Sequence, residues 1–243
     1  MASRIRLKRD ALGTIERLES DAGPLIARRP TEAAPGLKRV AARLARREQR
    51  ALAQLKDIDG VPRSVMASAR EAHRTYIPGW PMHAGPPPSQ HYFRAARHLL
   101  RQIHRRGVTH NDLAKEGNWL TTADGGCAII DFQLACCFRR RGRFFRLLAR
   151  EDIRHLLKHK NTYVPDSLTT REQRLLSLPS LPARLWKTLV KPVYRIVTLR
   201  ILNWPERQGP IERGISADAL QTHVAAHGVH KPDTANRPDG QAG

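Results

Sequence analysis

The stretch GVTHNDLAKEGNWLTTADGGCAIIDFQLA, Gly107–Ala135, decides how the rest of the chain is read. Upstream of it, Tyr92, Ala95, Ala96, Leu99, Leu100 and Ile103 recur every three or four residues with Arg94, Arg97, Arg101 and Arg105 between them. That period predicts an amphipathic helix from about His91 to Arg106, stopped by Gly107. Inside the stretch, Asp124, Gly125 and Gly126 signal a turn, and the apolar run Cys127–Ile130 after it predicts a buried strand with Asp131 at its end. A carboxylate there must meet a cation or water, because burying it unpaired is costly. The polar loop between helix and strand carries His110, Asp112, Lys115 and Asn118.

Toward the N-terminus, LKRDALGTIERL around Gly13 and then PLIARR read as short strands, with Asp21–Pro24 as the turn between them. From Leu37 to Leu55, the residues Leu37, Val40, Ala41, Leu44, Ala51, Leu52 and Leu55 keep a helical period, and Glu48 falls on the same stripe. A buried Glu48 needs a cation, and Arg28 and Arg29 of the preceding strand are the candidates; a surface pair with a neighbouring arginine is the alternative. Val61–Val65 and His73–Ile77 predict two more strands, and Pro78, Gly79 and Gly85–Pro88 a connector. The expected organisation is a small sheet with one helix over 1–80, a helical region over 81–204 and a disordered tail over 205–243. In the second region, Thr169 with Glu172 has the capping-box spacing and predicts a helix through Leu178. Arg184–Leu202 is amphipathic and interrupted by Pro192.

The 43 Lys and Arg against 22 Asp and Glu leave a net charge of +21 over 243 residues, so an anionic partner is expected: phosphorylated substrate, anionic membrane face or nucleic acid. Phe138–Arg150 concentrates that charge, with three phenylalanines, six arginines and no acid. No run of about 18 apolar residues is present, and MASRIRLKRD leads into no apolar core, so the expected location is cytoplasmic, with peripheral contact at the inner membrane face left open. Cys127, Cys136 and Cys137 lack the spacing of a zinc site or a disulfide framework. Asp152, His155 and His159 share a helix face, read as solvated in preference to a metal site.

Phosphoryl transfer asks little covalent chemistry of a protein; it needs metal ligands, a group orienting the acceptor hydroxyl and cations on the phosphates. Asp112 suits the hydroxyl, while Asn118 and Asp131 offer the hard oxygens that Mg²⁺ prefers. These residues resemble the protein kinase-like superfamily. HNDLAKEGN is similar to the catalytic loop HRDxxxxN, DFQ at 131–133 to the metal-binding DFG, and Arg28 or Arg29 with Glu48 to the strand lysine and helix glutamate. The resemblance is strongest to the atypical bacterial branch near the RIO kinases and the lipopolysaccharide Kdo kinases, and covers roughly residues 5–160.

It implies an α+β, two-lobed kinase-like fold with a reduced N-lobe and a small helical C-lobe, using ATP and Mg²⁺. Implied roles are catalysis for Asp112 and Lys115, metal binding for Asn118 and Asp131, and nucleotide binding for Gly13, Arg29 or Arg28, and Glu48. IARR aligned on VAIK favours Arg29. The pattern also departs from the family: Asn118 lies six residues after Asp112 instead of five, Gln133 replaces the DFG glycine, and Gly13 has no GxGxxG companions. A serine/threonine protein kinase is the expected activity. A lipopolysaccharide or sugar kinase acting on an anionic glycolipid, and a pseudokinase serving as a basic RNA- or lipid-binding module, are its rivals.

Overall fold

The computed structural model describes residues 4–68 and 70–178. The amphipathic stretch at 184–202 and the polar tail from 205 lie outside the described residues. The chain opens with β1 (Arg4–Asp10), β2 (Gly13–Leu18) and β3 (Leu25–Arg29). Asp10 pairs with Gly13, leaving Ala11 and Leu12 as the hairpin turn, and the Asp10 carboxylate accepts the Leu12 N–H at 2.9 Å. Gly13 has φ +118°, and a Cβ on it would stand 2.2 Å from the Arg29 carbonyl oxygen. Close approach of β3 therefore demands glycine at this tight turn between β1 and β2.

Helix α1 (Lys38–Gln54) follows β3, and β4 (Ser64–Ala67) and β5 (Ala72–Thr75) complete an antiparallel sheet of order β1-β2-β3-β5-β4. Ala41, Ala45, Glu48 and Leu52 form the buried stripe of α1. Val40, expected on that stripe, is 47% exposed because it sits one position off it. The strand expected from Val61 starts only at Ser64: Val61 is drawn into the core and Pro62 has no N–H to give a ladder.

After β6 (Trp80–Pro81) comes α2 (Gln90–Arg105), whose N-terminus is capped by the Ser89 hydroxyl accepting from the Tyr92 N–H at 3.3 Å. Strands β7 (Val108–Thr109), β8 (Trp119–Thr121), β9 (Cys127–Ile129) and β10 (Cys136–Cys137) are short, with β6-β8-β9 as one antiparallel sheet and β10-β7 as another. Helices α3 (Arg143–Tyr163) and α4 (Thr170–Ser177) finish the described chain. The capping box of α4 is formed: Thr169 accepts the Glu172 N–H, and Glu172 accepts the Thr169 N–H.

One hydrophobic core runs across the expected boundary near residue 80. Ala51, Leu52, Leu55, Ile58 and Val61 pack in the same cluster as Tyr92, Leu100, Ile103, Trp119, Phe132 and Leu156. The C-terminal half of α1 thus belongs to the helical region's core. Cys127 lies beside this core; burial pushes its thiol up to about 12, so it stays protonated at neutral pH.

Candidate active site

Strand β7 delivers His110 to a fully buried position where its ring joins two loops. Nδ1 accepts the Asp112 N–H at 3.3 Å, which leaves Nε2 to donate to the Ile130 carbonyl at 2.9 Å and so fixes the tautomer. The ring also packs edge-on against Phe132, with centroids 4.6 Å apart. His110 is therefore a brace between the loop of Asp112 and the strand end of Asp131. A second tie lies beside it, the Ile130 N–H donating to the Asn118 carbonyl at 3.0 Å.

The Asp112 carboxylate pairs with Lys115 Nζ at 2.9 Å and accepts from Asn118 Nδ2 at 3.2 Å. The same Nδ2 donates to the Asp112 carbonyl at 2.8 Å, so the amide oxygen of Asn118 is the atom left to serve as a ligand. The extra residue in the loop is taken up by a 3-10 turn at Glu116–Asn118, and Asn118 still reaches Asp112.

Asn111 and Asp131 are the two non-glycine residues with positive φ among those described, at 66° and 67°. Asn and Asp tolerate this left-handed region better than other residues. The Asp131 carboxylate accepts from Gln133 Nε2 at 2.7 Å. Burial pushes its pKa up, but the Arg28 and Arg74 guanidiniums and the Gln133 bond together outweigh that and hold it below the ordinary carboxylate range. Asp131 is ionised at neutral pH.

Glu48 is 2% exposed and meets two cations. Arg28 Nε approaches Oε2 at 3.7 Å, and Arg74 Nη1 donates to Oε1. Arg29, favoured for this position by the IARR alignment, is directed elsewhere: it pairs with Glu16 at 3.6 Å, Glu32 at 3.2 Å and Glu71 at 3.4 Å. Successive strand residues point to opposite faces, so only one of the two arginines can face α1, and it is Arg28. Gly13 likewise lies outside the cluster, packed on the backbone of β3.

Sequence reasoning missed Arg74 and Asp152. Arg74 stands on β5 opposite Ile26 of β3, on the sheet face that carries Arg28; a lone arginine inside an expected strand was the available signal. Asp152, read as part of a solvated face, is 1% exposed. It accepts the His110 N–H and the Asn111 N–H at 2.9 Å each, and its Oδ2 lies 3.0 Å from His104 Nε2. His159 also turns away from a metal arrangement, donating through Nε2 to the Leu113 carbonyl at 2.9 Å, which Trp119 Nε1 reaches too at 3.0 Å. Among the described residues no group of three or more His, Cys, Asp or Glu could hold a metal ion.

Two clusters result: Asp112, Lys115 and Asn118 on one loop, and Asp131 at the strand end with Glu48 of α1 and Arg28 and Arg74 of the sheet. Hard oxygens from Asp131 and Asn118, on segments bonded to each other, fit the donor set of a nucleotide-bound Mg²⁺ better than that of a softer metal.

The fold is protein kinase-like. The profile of the APH phosphotransferase enzyme family matches residues 10–138, more than half of the sequence, and the chain belongs to that family. No curated protein sequence matches it significantly. Among solved structures, the Rio2 kinase from Chaetomium thermophilum superposes with a TM-score of 0.50 at 14% identity, over 69% of this chain and 60% of that one. The Rio2 kinase-ADP/Mg²⁺-phosphoaspartate complex from the same organism gives 0.51 at 14% identity, over 74% and 62%. The chain thus spans about three-fifths of the length of these solved relatives, and the likeness is one of fold.

Proposed function

We propose that the protein is an ATP- and Mg²⁺-dependent kinase that transfers the γ-phosphoryl group to a serine or threonine hydroxyl of a protein. The observation carrying this reading is the double tie of His110 to Ile130 and of Ile130 to Asn118, which holds the loop of Asp112 against the strand end of Asp131. Asp112 orients the acceptor hydroxyl and takes up its proton. Lys115, paired with Asp112, would meet charge developing on the transferred group. Asp131 and Asn118 would hold Mg²⁺, which supplies charge neutralisation across the phosphates when bound. Arg28, held by Glu48, takes the place of a strand lysine at the nucleotide phosphates, and its planar fork can grip two phosphate oxygens where an ammonium would act as a point charge. The Rio2 complex with ADP and Mg²⁺ supports the nucleotide and metal by analogy of fold.

The test is labelled ATP with wild type and Asp112→Ala. Loss of phosphoryl transfer by about a hundredfold or more in the variant, with MgATP still raising its melting temperature, is the expected result. Equal activity in both would remove the mechanism; no thermal shift with MgATP in the wild type would favour a pseudokinase. One observation favours a second acceptor: the exposed arginines around Phe144 suit the anionic groups of a glycolipid, whose sugar hydroxyl would then be the acceptor, and labelling membrane extract in place of soluble protein would select it.

A further inference from the structure

The basic segment Phe138–Arg150 takes no part in the nucleotide and metal binding proposed above. It follows β10, which pairs with β7 so that Cys137 lies opposite Val108, and the Phe138 N–H then donates to the Gly107 carbonyl at 2.8 Å. From there the chain runs away from the catalytic loop and turns into α3. Arg139, Arg140, Arg141, Arg143 and Arg146 are all exposed. Phe145 is 5% exposed and Phe138 half-buried, but Phe144 stands 61% exposed, the most exposed of the large apolar side chains described. Phe138 backs it with ring centroids 5.9 Å apart.

Helix α1 extends this surface. Arg39, Arg43, Arg46 and Arg50 are exposed and spaced four, three and four residues apart, which places them in one row along the helix. The helix is fixed to the base of the segment by Arg47, whose Nε donates to the Ala135 carbonyl at 2.7 Å and whose Nη2 donates to Cys136 Sγ at 2.7 Å. The only acid of α1 is Glu48, and it is buried with Arg28 and Arg74. Asp57, just beyond the helix, is taken by Arg106 at 3.5 Å. The arginine row and the segment therefore present cations with no acid among them.

We propose that Arg139–Arg146, with Phe144 at its centre and the arginine row of α1 beside it, docks the protein on an anionic phospholipid bilayer. Charge complementarity calls for a polyanion, and the apolar content chooses between kinds. A single exposed ring framed by guanidiniums matches interfacial binding, in which the cations meet lipid phosphates and the ring enters the acyl boundary. A single-stranded nucleic acid instead needs several exposed rings on which successive bases stack, and here Phe138 and Phe145 are turned inward. The inference stands apart from the catalytic reading, because docking needs no nucleotide.

Co-sedimentation of the full chain with phosphatidylcholine vesicles, with and without 30% phosphatidylglycerol, tests it. Binding is expected to the anionic vesicles alone and to weaken steeply with salt. Phe144→Ser should lower partitioning about tenfold and each of Arg140→Gln and Arg143→Gln about fivefold, all with unchanged melting temperature because these side chains are exposed. Partitioning that survives the combined Phe144, Arg140 and Arg143 variant would overturn the proposal, since another segment would then be the anchor. Failure to bind anionic vesicles while single-stranded RNA binds in an arginine-dependent, Phe144-independent way would overturn it as well.

Discussion

Arg74 carries a prediction that separates it from a merely structural partner of Glu48. If its guanidinium and that of Arg28 both face the nucleotide, Arg74→Ala and Arg28→Ala should each raise the KM for ATP about tenfold, the loss of one charge-assisted hydrogen bond, while kcat falls less. Arg29→Ala, whose partners are Glu16, Glu32 and Glu71, should leave KM for ATP unchanged. Steady-state kinetics on the three variants decides. Asp152→Asn replaces one accepting oxygen by a donor that faces backbone N–H groups, so it should destabilise the fold by roughly 1–3 kcal/mol in chemical denaturation. Asp112 and Asp131 stand out as candidates because HND and the DF after an apolar run are linear patterns, and Asn118 stands out although it comes one residue late. Asp152 does not: it acts on a loop 42 residues away through main-chain N–H groups, which leave no trace in side-chain identity. Arg28 and Arg29 could not be separated either, because which face of a strand meets a helix is decided by packing of the whole sheet.

The helices were legible as elements because their apolar period extends over several turns, and α1 and α2 were read to within one residue at each end. Short strands were less so, since two or three residues carry no period and are defined by the neighbour they pair with, as β7 and β10 are. Phe138–Arg150 reads from sequence either as a solvated helix start or as an anionic docking surface, and α3 does begin inside it, at Arg143 after Gly142. For α4 the capping box also sets a pH dependence. Glu172 has a lowered pKa: burial raises it, but Lys160 at 2.9 Å and the Thr169 bonds more than reverse that. A depressed carboxylate pKa stabilises the fold above its unfolded value of about 4.3, and the contribution is lost as pH falls through the lower folded value. The melting temperature of wild type should therefore exceed that of Glu172→Gln at pH 7, and the gap should close as the solution is acidified toward pH 3.

At the scale of the whole molecule, the resemblance to a two-lobed enzyme was readable, but the way the lobes are joined was not. Leu52 and Leu55 are 0% and 1% exposed in a core they share with residues from beyond position 80, and no periodicity could name those partners. A fragment ending at residue 80 loses that cover, so it should show no cooperative thermal transition, whereas the full chain should melt as one unit through residue 178; calorimetry of both would show it. Among the described residues no helix is long and apolar enough to cross a membrane. The shared core also governs motion. With half of α1 embedded in the second lobe and Arg47 bonded to Ala135, the helix cannot swing outward as a rigid lever without opening a cavity. Glu48, paired with Arg28 and Arg74 on a helix held this way, has no outward position to occupy, so if the proposed kinase activity is present it should be constitutive, needing no helix movement to switch it on.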